Sequence, residues 1–360
     1  MRLIIDTLGG DRGCAATVPG GIAAMKAHPE ISLIFTGNEA DIRAALRAAD
    51  PSGSFGEPAV YTVPEEGKQP PRIAIVHAPE AISGEEKPSL AVREKTESSM
   101  LRGIQLLRSD PTCDALVSTG STGALVVAST IGIPRVRGIR RPAFCPILPT
   151  MTGGIVGVCD SGANVDITPQ MLVQFAIMGS RYLEGAFGVK NPRVALLNIG
   201  TESEKGDALR KAAYPMLQAA PGVNFVGNME SRDLLSGNYD LIVCDGFAGN
   251  VLVKTTEGTA LELLRKIKKD IYSRRIYQLG AFFMRKMFAE QKEFLNYQNY
   301  GGSVLLGLDK IVVKGHGSSD EKAVARCVEQ ALAMQQSNLN DRIKASLEAL
   351  KALEKTTEEA

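Results

Sequence analysis

A chain of 360 residues is long enough to bury one large α/β core or two smaller ones. Its 41 basic residues balance 40 acidic ones, so bulk charge points to no nucleic-acid or membrane partner. No apolar run is long enough to span a bilayer, the opening MRLIIDTLGGD reads as strand and turn rather than signal peptide, and six scattered cysteines without metal-type or redox-type pairing fit a reducing cytoplasm.

Short apolar runs recur along the chain at Leu3–Asp6, Ile31–Thr36, Ile73–His77, Ala115–Thr119, Gly154–Asp160, Val194–Asn198, Leu241–Asp245 and Ile311–Lys314. Their hydrophobicity is continuous rather than alternating, which is the pattern of strands buried on both faces. Between them, Glu97–Ser109, Thr168–Leu183 and Lys205–Ala219 have helical spacing. The alternation predicts an α/β fold with an open, doubly wound, mostly parallel sheet. Residues 51–72, rich in Pro, Gly and Glu, read as an exposed loop. Residues 338–360 read as an amphipathic helix on Ile343, Leu347, Leu350 and Leu353 with an acidic end. The expected division is one catalytic domain over 1–335, including a basic amphipathic helical segment at 259–296, followed by a helix and tail at 336–360.

Ligands of such sheets sit beyond the carboxyl ends of the strands. Polar residues end the runs there: Asp6, His77, Thr119, Asp160, Asn198 and Asp245. DTLGGDRG (6–13) offers Gly9, Gly10 and Asp11 in a tight turn whose N–H groups could meet an anion, though a plain strand-to-helix turn explains it equally, and it is no dinucleotide fingerprint. VREKTESSM (92–100) sets Arg93 and Lys95 beside Ser98 and Ser99, cations and hydroxyls suited to an oxyanion. STGSTGA (118–124) places Ser121, Thr122 and Gly123 at a helix start, either an anion pocket or an unliganded cap. LNIGTESEKG (197–206) puts Asn198 and Lys205 in a charged loop. VVKGHGSS (312–319) sets His316 between glycines before Ser318 and Ser319, open to general-base, phosphate-donor or capping roles.

One corner occurs twice. VCDSGANVD (158–166) and VCDGFAGNV (243–251) each run a strand into Cys-Asp, turn through small residues and present an Asn, here Asn164 and Asn250. We read them as two walls of one polar site. Asp160, Asp166 and Asp245 could offer oxygen to Mg²⁺, but nothing forces a metal, and none is expected. Cys159 and Cys244 read as small core residues, since the neighbouring carboxylates disfavour a thiolate.

Taken together, IIDTLGGD, HAPEAI, VREKTESSM, STGSTGAL, DSGANVD, PRVALLNIG, NFVGNMESRD, VCDGFAGNVLVKTTEG, YGGSVLLG and VVKGHGSS resemble, in order, the phosphate acyltransferases of bacterial phospholipid synthesis. The resemblance covers roughly residues 1–335. It implies a homodimeric α/β/α fold akin to phosphotransacetylases and isopropylmalate-type dehydrogenases. It also implies transfer of a long-chain acyl group from acyl-carrier protein to inorganic phosphate, without cofactor, for a following membrane acyltransferase. Four positions depart from the family pattern: Thr7 and Leu8, in DTLGGD for Asp-Ala-Met-Gly-Gly-Asp, Thr96 for a second Lys and Ser121 for Asn. On this reading Arg93, Lys95, Ser98, Ser99 and the STGSTGA backbone take phosphate, while His316, Asn164 and Asn250 orient reactants or donate to the oxyanion. Asp160 and Asp245 hold those donors, and Gly9, Gly10, Asp11, His77, Asn198, Lys205, Lys254, Ser318 and Ser319 complete the binding rim.

Two basic clusters suggest partners. Arg135, Arg137, Arg140 and Arg141 suit an acidic carrier protein or form a solvated turn. Arg265–Phe288 carries eight Lys or Arg against one Asp, with Phe282 and Phe283 interleaved, as for a helix on the inner face of the cell membrane or at a dimer interface. The rival functions are a phosphotransacetylase of acetyl-coenzyme A, a decarboxylating dehydrogenase, which the missing fingerprint disfavours, and a non-catalytic scaffold joining carrier protein to membrane.

Overall fold

A computed structural model describes residues 1–62, 71–294 and 300–358; residues 63–70 of the expected loop and 295–296 of the basic segment lie outside these. Eight strands form a first sheet: β1 (Arg2–Asp6), β2 (Ser32–Gly37), β3 (Ala59–Val60), β4 (Ile73–His77), β5 (Ala115–Ser118), β6 (Ala143–Cys145), β12 (Ser303–Leu306) and β13 (Ile311–Lys314). Their order is β3-β4-β2-β1-β5-β13-β12-β6, parallel from β3 to β13 and antiparallel on either side of β12. A second sheet contains β7 (Ile147–Pro149), β8 (Ile155–Cys159), β9 (Arg193–Asn198), β10 (Asn224–Glu230) and β11 (Leu241–Val243), ordered β10-β9-β11-β8-β7, with only β7 antiparallel. The mostly parallel architecture is as expected, but it is divided between two sheets.

Side-chain alternation on a strand explains the layers. Leu3 and Ile5 of β1, with Leu33 and Phe35 of β2, join a core with Val18 and Ile22 of α1 (Cys14–Ala27) and Val328 of α11 (Glu321–Gln336). Ile4 and Ile34 face the other way, onto Ile104 and Leu107 of α4 (Ser99–Ser109) and Leu125 of α5 (Thr122–Gly132). The first core continues under the second sheet, where Val194, Leu196 and Val243 meet Phe175 of α6 (Pro169–Phe187) and Leu217 of α7 (Ala208–Ala219). Of the remaining helices, α2 (Glu39–Ala49) packs on α1 and on β2 and β4, and α3 (Pro88–Glu94) packs on α5.

The strands that sequence reading missed are short or weakly marked, the four-residue apolar β12 (SVLL) among them. β3, β6 and β7 span two or three residues, and β10 (NFVGNME) is polar and broken at Gly227, whose φ is +104°. Near the end, α12 (Leu339–Glu358) buries Leu339, Ile343 and Leu347, and Arg342 and Ser346 bind Glu184 and Arg181 of α6 at 2.7 and 2.9 Å. The helix α8 (Gly246–Ser273) is the opposite case. Of its 28 residues only Gly246, Gly249 and Val253 are buried, and it runs on into α9 (Arg275–Phe283) and α10 (Arg285–Phe294) as an exposed arm.

Candidate active site

β1, β5 and β13 are neighbours, so the loops that follow them meet at one rim. Asp6 joins them. Its buried carboxylate accepts hydrogen bonds from Ser118 Oγ (2.7 Å), Ser99 Oγ (2.6 Å) and Leu8 N–H (3.2 Å), and Gly120 N–H in turn donates to Ser118 Oγ (3.1 Å). Burial raises the pKa of Asp6, and these bonds oppose the rise. Glycine is required where the loops touch: a Cβ on Gly9 would lie 2.5 Å from Gly120 N, and one on Gly10 (φ +74°) would lie 2.8 Å from Gly317 O. Asp11 N–H closes the junction by donating to Gly317 O at 2.8 Å.

Lys314 ends β13 and is 8% exposed. Its ammonium donates to the carbonyls of Gly315 and Thr119. Burial pushes its pKa down to about 8, against the attraction of Asp6 and Asp11. His316 follows at the mouth of the cleft. Its Nδ1 accepts the Ser318 N–H (3.2 Å) and lies 2.8 Å from Ser318 Oγ, so the neutral ring carries its proton on Nε2. Partial burial, then the Lys314 charge, lowers its pKa.

The twin corners form the facing wall. β8 and β11 pair directly, Val243 beside Cys159, and the chains interlock beyond them through Asp160 N–H to Cys244 O (3.0 Å) and Gly246 N–H to Asn164 O (2.6 Å). Asp160 is fully buried and accepts from the N–H groups of Phe144 (2.8 Å), Ala163 (3.1 Å) and Asn164 (2.7 Å) and from Asn164 Nδ2 (3.0 Å). Burial still leaves its pKa raised. Asp245 instead caps α8 by accepting from Ala248 N–H (2.8 Å) and pairs with Arg210 at 2.7 Å. Gly249 packs so tightly on this corner that a Cβ would fall 2.0 Å from Asp160 O. Asn250 Nδ2 reaches Ser161 O at 3.3 Å.

Between the walls lies a cleft of about 280 Å³. Thr122 at the start of α5, Lys314, His316 and Ser319 line one side; Asn250, Lys254 and Glu257, on one face of α8, line the other. Phe144, Ile147 and Leu148 give it an apolar margin. A concave site with a few convergent polar groups and a displaced lysine pKa has the character of an active site.

A family described as fatty acid synthesis protein matches residues 1–342. Phosphate acyltransferases from Clostridium acetobutylicum and Halalkalibacterium halodurans are 41% and 40% identical to this chain, over 97% and 93% of it and 100% and 93% of their own lengths. The chain belongs to the phosphate acyltransferase family. In fold, it is similar to a phosphotransacetylase from Streptococcus pyogenes (TM-score 0.56, 17% identity, 93% of this chain and 94% of that one) and to a putative 4-hydroxythreonine-4-phosphate dehydrogenase from Salmonella typhimurium (0.50, 16%, 93% and 99%).

Within this family member, the cleft gathers Thr122, Asn250, Lys254, His316 and Ser319 of the expected residues, with Asp11 and Ser318 adjoining. Others stand apart from its lining. Ser99 is committed to Asp6 and braces the rim, and Ser98 is buried beside it. Gly9, Gly10 and Ser121 shape the turns, and Gly123 packs on Pro88. Lys95 is paired with Glu86 at 2.8 Å, and Arg93 is exposed on α3. His77 accepts from Glu39 N–H at 3.3 Å beyond β2, and Asn198 donates to Lys205 O at 3.0 Å on the far side of β11. Asn164 divides its amide between Pro142 O and Asp160, which makes it a brace. Cys159 and Cys244 are buried, and burial raises both thiols far above the ordinary range.

Lys314 and Glu257 escaped the sequence reading. A lysine ending an apolar run looks like a terminator. For Glu257 a signal existed: Asn250, Lys254 and Glu257 stand four and three residues apart, the spacing of one helical face. No group of three or more metal-ligating side chains occurs among the described residues, and no described helix is long and apolar enough to cross a membrane.

Proposed function

We propose that this cleft transfers a long-chain acyl group from acyl-carrier protein to inorganic phosphate, forming the acyl phosphate used in phospholipid synthesis. The observation that carries the reading is the nine-tenths-buried Lys314 ammonium lining a cleft that also contains Lys254 and His316. Hydrogen phosphate is already an anionic nucleophile, so it needs no activating triad. Lys314 and Lys254 neutralise its charge, and Thr122 with the first N–H groups of α5 orients it. A phosphate oxygen then attacks the thioester carbonyl. His316 Nε2–H and the Asn250 amide are the donors placed to receive the developing oxyanion. The C–S bond breaks, and products are acyl phosphate and the carrier thiol. Asp6, Asp160 and Asp245 hold this geometry and do not react.

The test is thiol release from purified long-chain acyl-carrier protein with and without phosphate, alongside acetyl-coenzyme A, with acyl phosphate trapped as hydroxamate. Phosphate-dependent release from the carrier substrate supports the reading. Release from acetyl-coenzyme A alone makes the chain a phosphotransacetylase; no release, with carrier binding intact, makes it a scaffold.

The carrier protein's seat belongs near the cleft mouth. Arg135, Arg137, Arg140 and Arg141 are exposed, but their loop joins the β12–β13 turn through Val136 N–H to Gly307 O and Asp309 N–H to Pro134 O, both 3.0 Å or shorter. That is the rim opposite Lys314. The basic side of α8, beginning at Lys254, is the nearer docking surface. On α9 and α10, Phe282 and Phe283 are 59% and 77% exposed beside Arg285 and Lys286, which suits an anionic membrane surface; exposed Leu261 and Leu263 on α8 suit a homodimer contact. Liposome flotation of wild type against Phe282→Glu/Phe283→Glu tests the first, and solution mass the second.

A further inference from the structure

Among the described residues that line the cleft, Glu257 is the acid, while Asp11 adjoins the lining. Glu257 lies on the α8 face that carries Asn250 and Lys254, and it lines the same cleft as Lys314 and His316. No ion pair to its carboxylate occurs within 4 Å among the described residues, and Lys254 is the one charge that acts on it appreciably. An ionised carboxylate beside a bound phosphate is repulsive, increasingly so where protein displaces water. Protonation removes that repulsion and turns the carboxyl into a proton donor.

The reaction needs such a donor. When hydrogen phosphate attacks the thioester, an O–C bond forms, the C–S bond breaks, and the proton that phosphate gives up must reach the departing sulfur. His316 is poorly placed to accept it, because Nδ1 already takes the Ser318 N–H, and the Lys314 ammonium is occupied by two carbonyls and by phosphate charge. We propose that Glu257 is the acid–base residue of this step: its protonated carboxyl gives its proton to the leaving thiolate, and the carboxylate so formed takes up the proton that phosphate gives up. Half-burial raises its pKa, with Lys254 opposing the rise, and an arriving phosphate anion raises it further. The inference rests on acyl transfer to phosphate as read above.

The test uses full-length protein and long-chain acyl-carrier protein. Glu257→Gln should lower kcat by about 10²–10⁴-fold and leave the phosphate KM unchanged or lower, because a repulsive charge has gone. A structural role would raise KM or lose the fold, which thermal unfolding reports. Glu257→Ala should recover activity in proportion to added acetate, whose acid form can enter the vacated space and protonate sulfur. Unchanged kcat in either variant, or a loss that acetate leaves in place, overturns the proposal. Absence of phosphate-dependent thiol release by wild type would instead overturn the acyl-transfer reading beneath it.

Discussion

The two walls of the cleft are built from the same materials and put them to different ends. On the β1–β5–β13 side, a buried carboxylate, Asp6, binds the loops from within, while Lys314 and His316 remain directed to the cleft. On the β8–β11 side, the repeated Cys-Asp corner turns inward: Asp160 and Asn164 satisfy backbone groups, Asp245 caps a helix, and the functional side chains are displaced onto α8. Similar motifs thus share a rim without sharing a job. Even the twin aspartates differ, since Asp160 is a fully buried hub and Asp245 a partly exposed cap with its own arginine.

The sharpest way to break this contrast is to remove the hub. Asp160→Ala leaves the buried N–H of Phe144 and the part-buried N–H groups of Ala163 and Asn164 without their acceptor, and should lower stability by about 3–5 kcal/mol, the scale of two or more amides left unsatisfied. Asp245→Ala should lower it by about 1–2 kcal/mol, the scale of a lost helix cap. Denaturant unfolding of both variants checks this; equal losses would mean that the corners are equivalent after all.

Lys314→Met tests the other wall. The substitution keeps the volume and removes a charge that the fold does not favour, so stability at neutral pH should be maintained while kcat/KM for phosphate falls about 10²–10³-fold. The linkage has a definite sign. A lysine held at about 8 instead of 10.5 adds stability only at high pH, and that contribution is lost as pH falls through 8. Binding runs the other way, because the protonated amine attracts phosphate. In wild type, kcat/KM for phosphate should decline above about pH 8, and in Lys314→Met that limb should disappear. A limb of the same position in both would assign it to another group.

How much of this was legible depended on range. The β1 and β2 strands were plain because RLIID and SLIFTG are buried on both faces, and α6 because its apolar spacing is regular. The adjacency of the twin corners was not legible: β9 lies between β8 and β11 in the chain but outside them in the sheet, and strand order is set by packing that no local motif encodes. Ser99 looked like a phosphate ligand because a serine beside cations carries no mark of its partner, Asp6, 93 residues away. Lys314 was hidden for a related reason. Its burial comes from the convergence of three loops.

The smallest effect is expected on the rim that faces neither the cleft nor α8. Arg137→Glu/Arg141→Glu reverses two charges at the rim opposite Lys314, roughly 13 Å away along the four residues of β13 before any loop is counted. A carrier seated along α8 does not touch this rim, and exposed charges more than a Debye length from a docking surface are largely screened, so KM for acyl-carrier protein should change less than twofold. Lys266→Glu/Lys269→Glu on α8 should raise it severalfold, and more at low salt, if the carrier approaches along that helix. A large effect from the first pair with none from the second would mean that the carrier binds across the molecule. Its thioester would then have to reach a cleft other than the one above the Lys314 end of that same sheet, such as the cleft of a second copy.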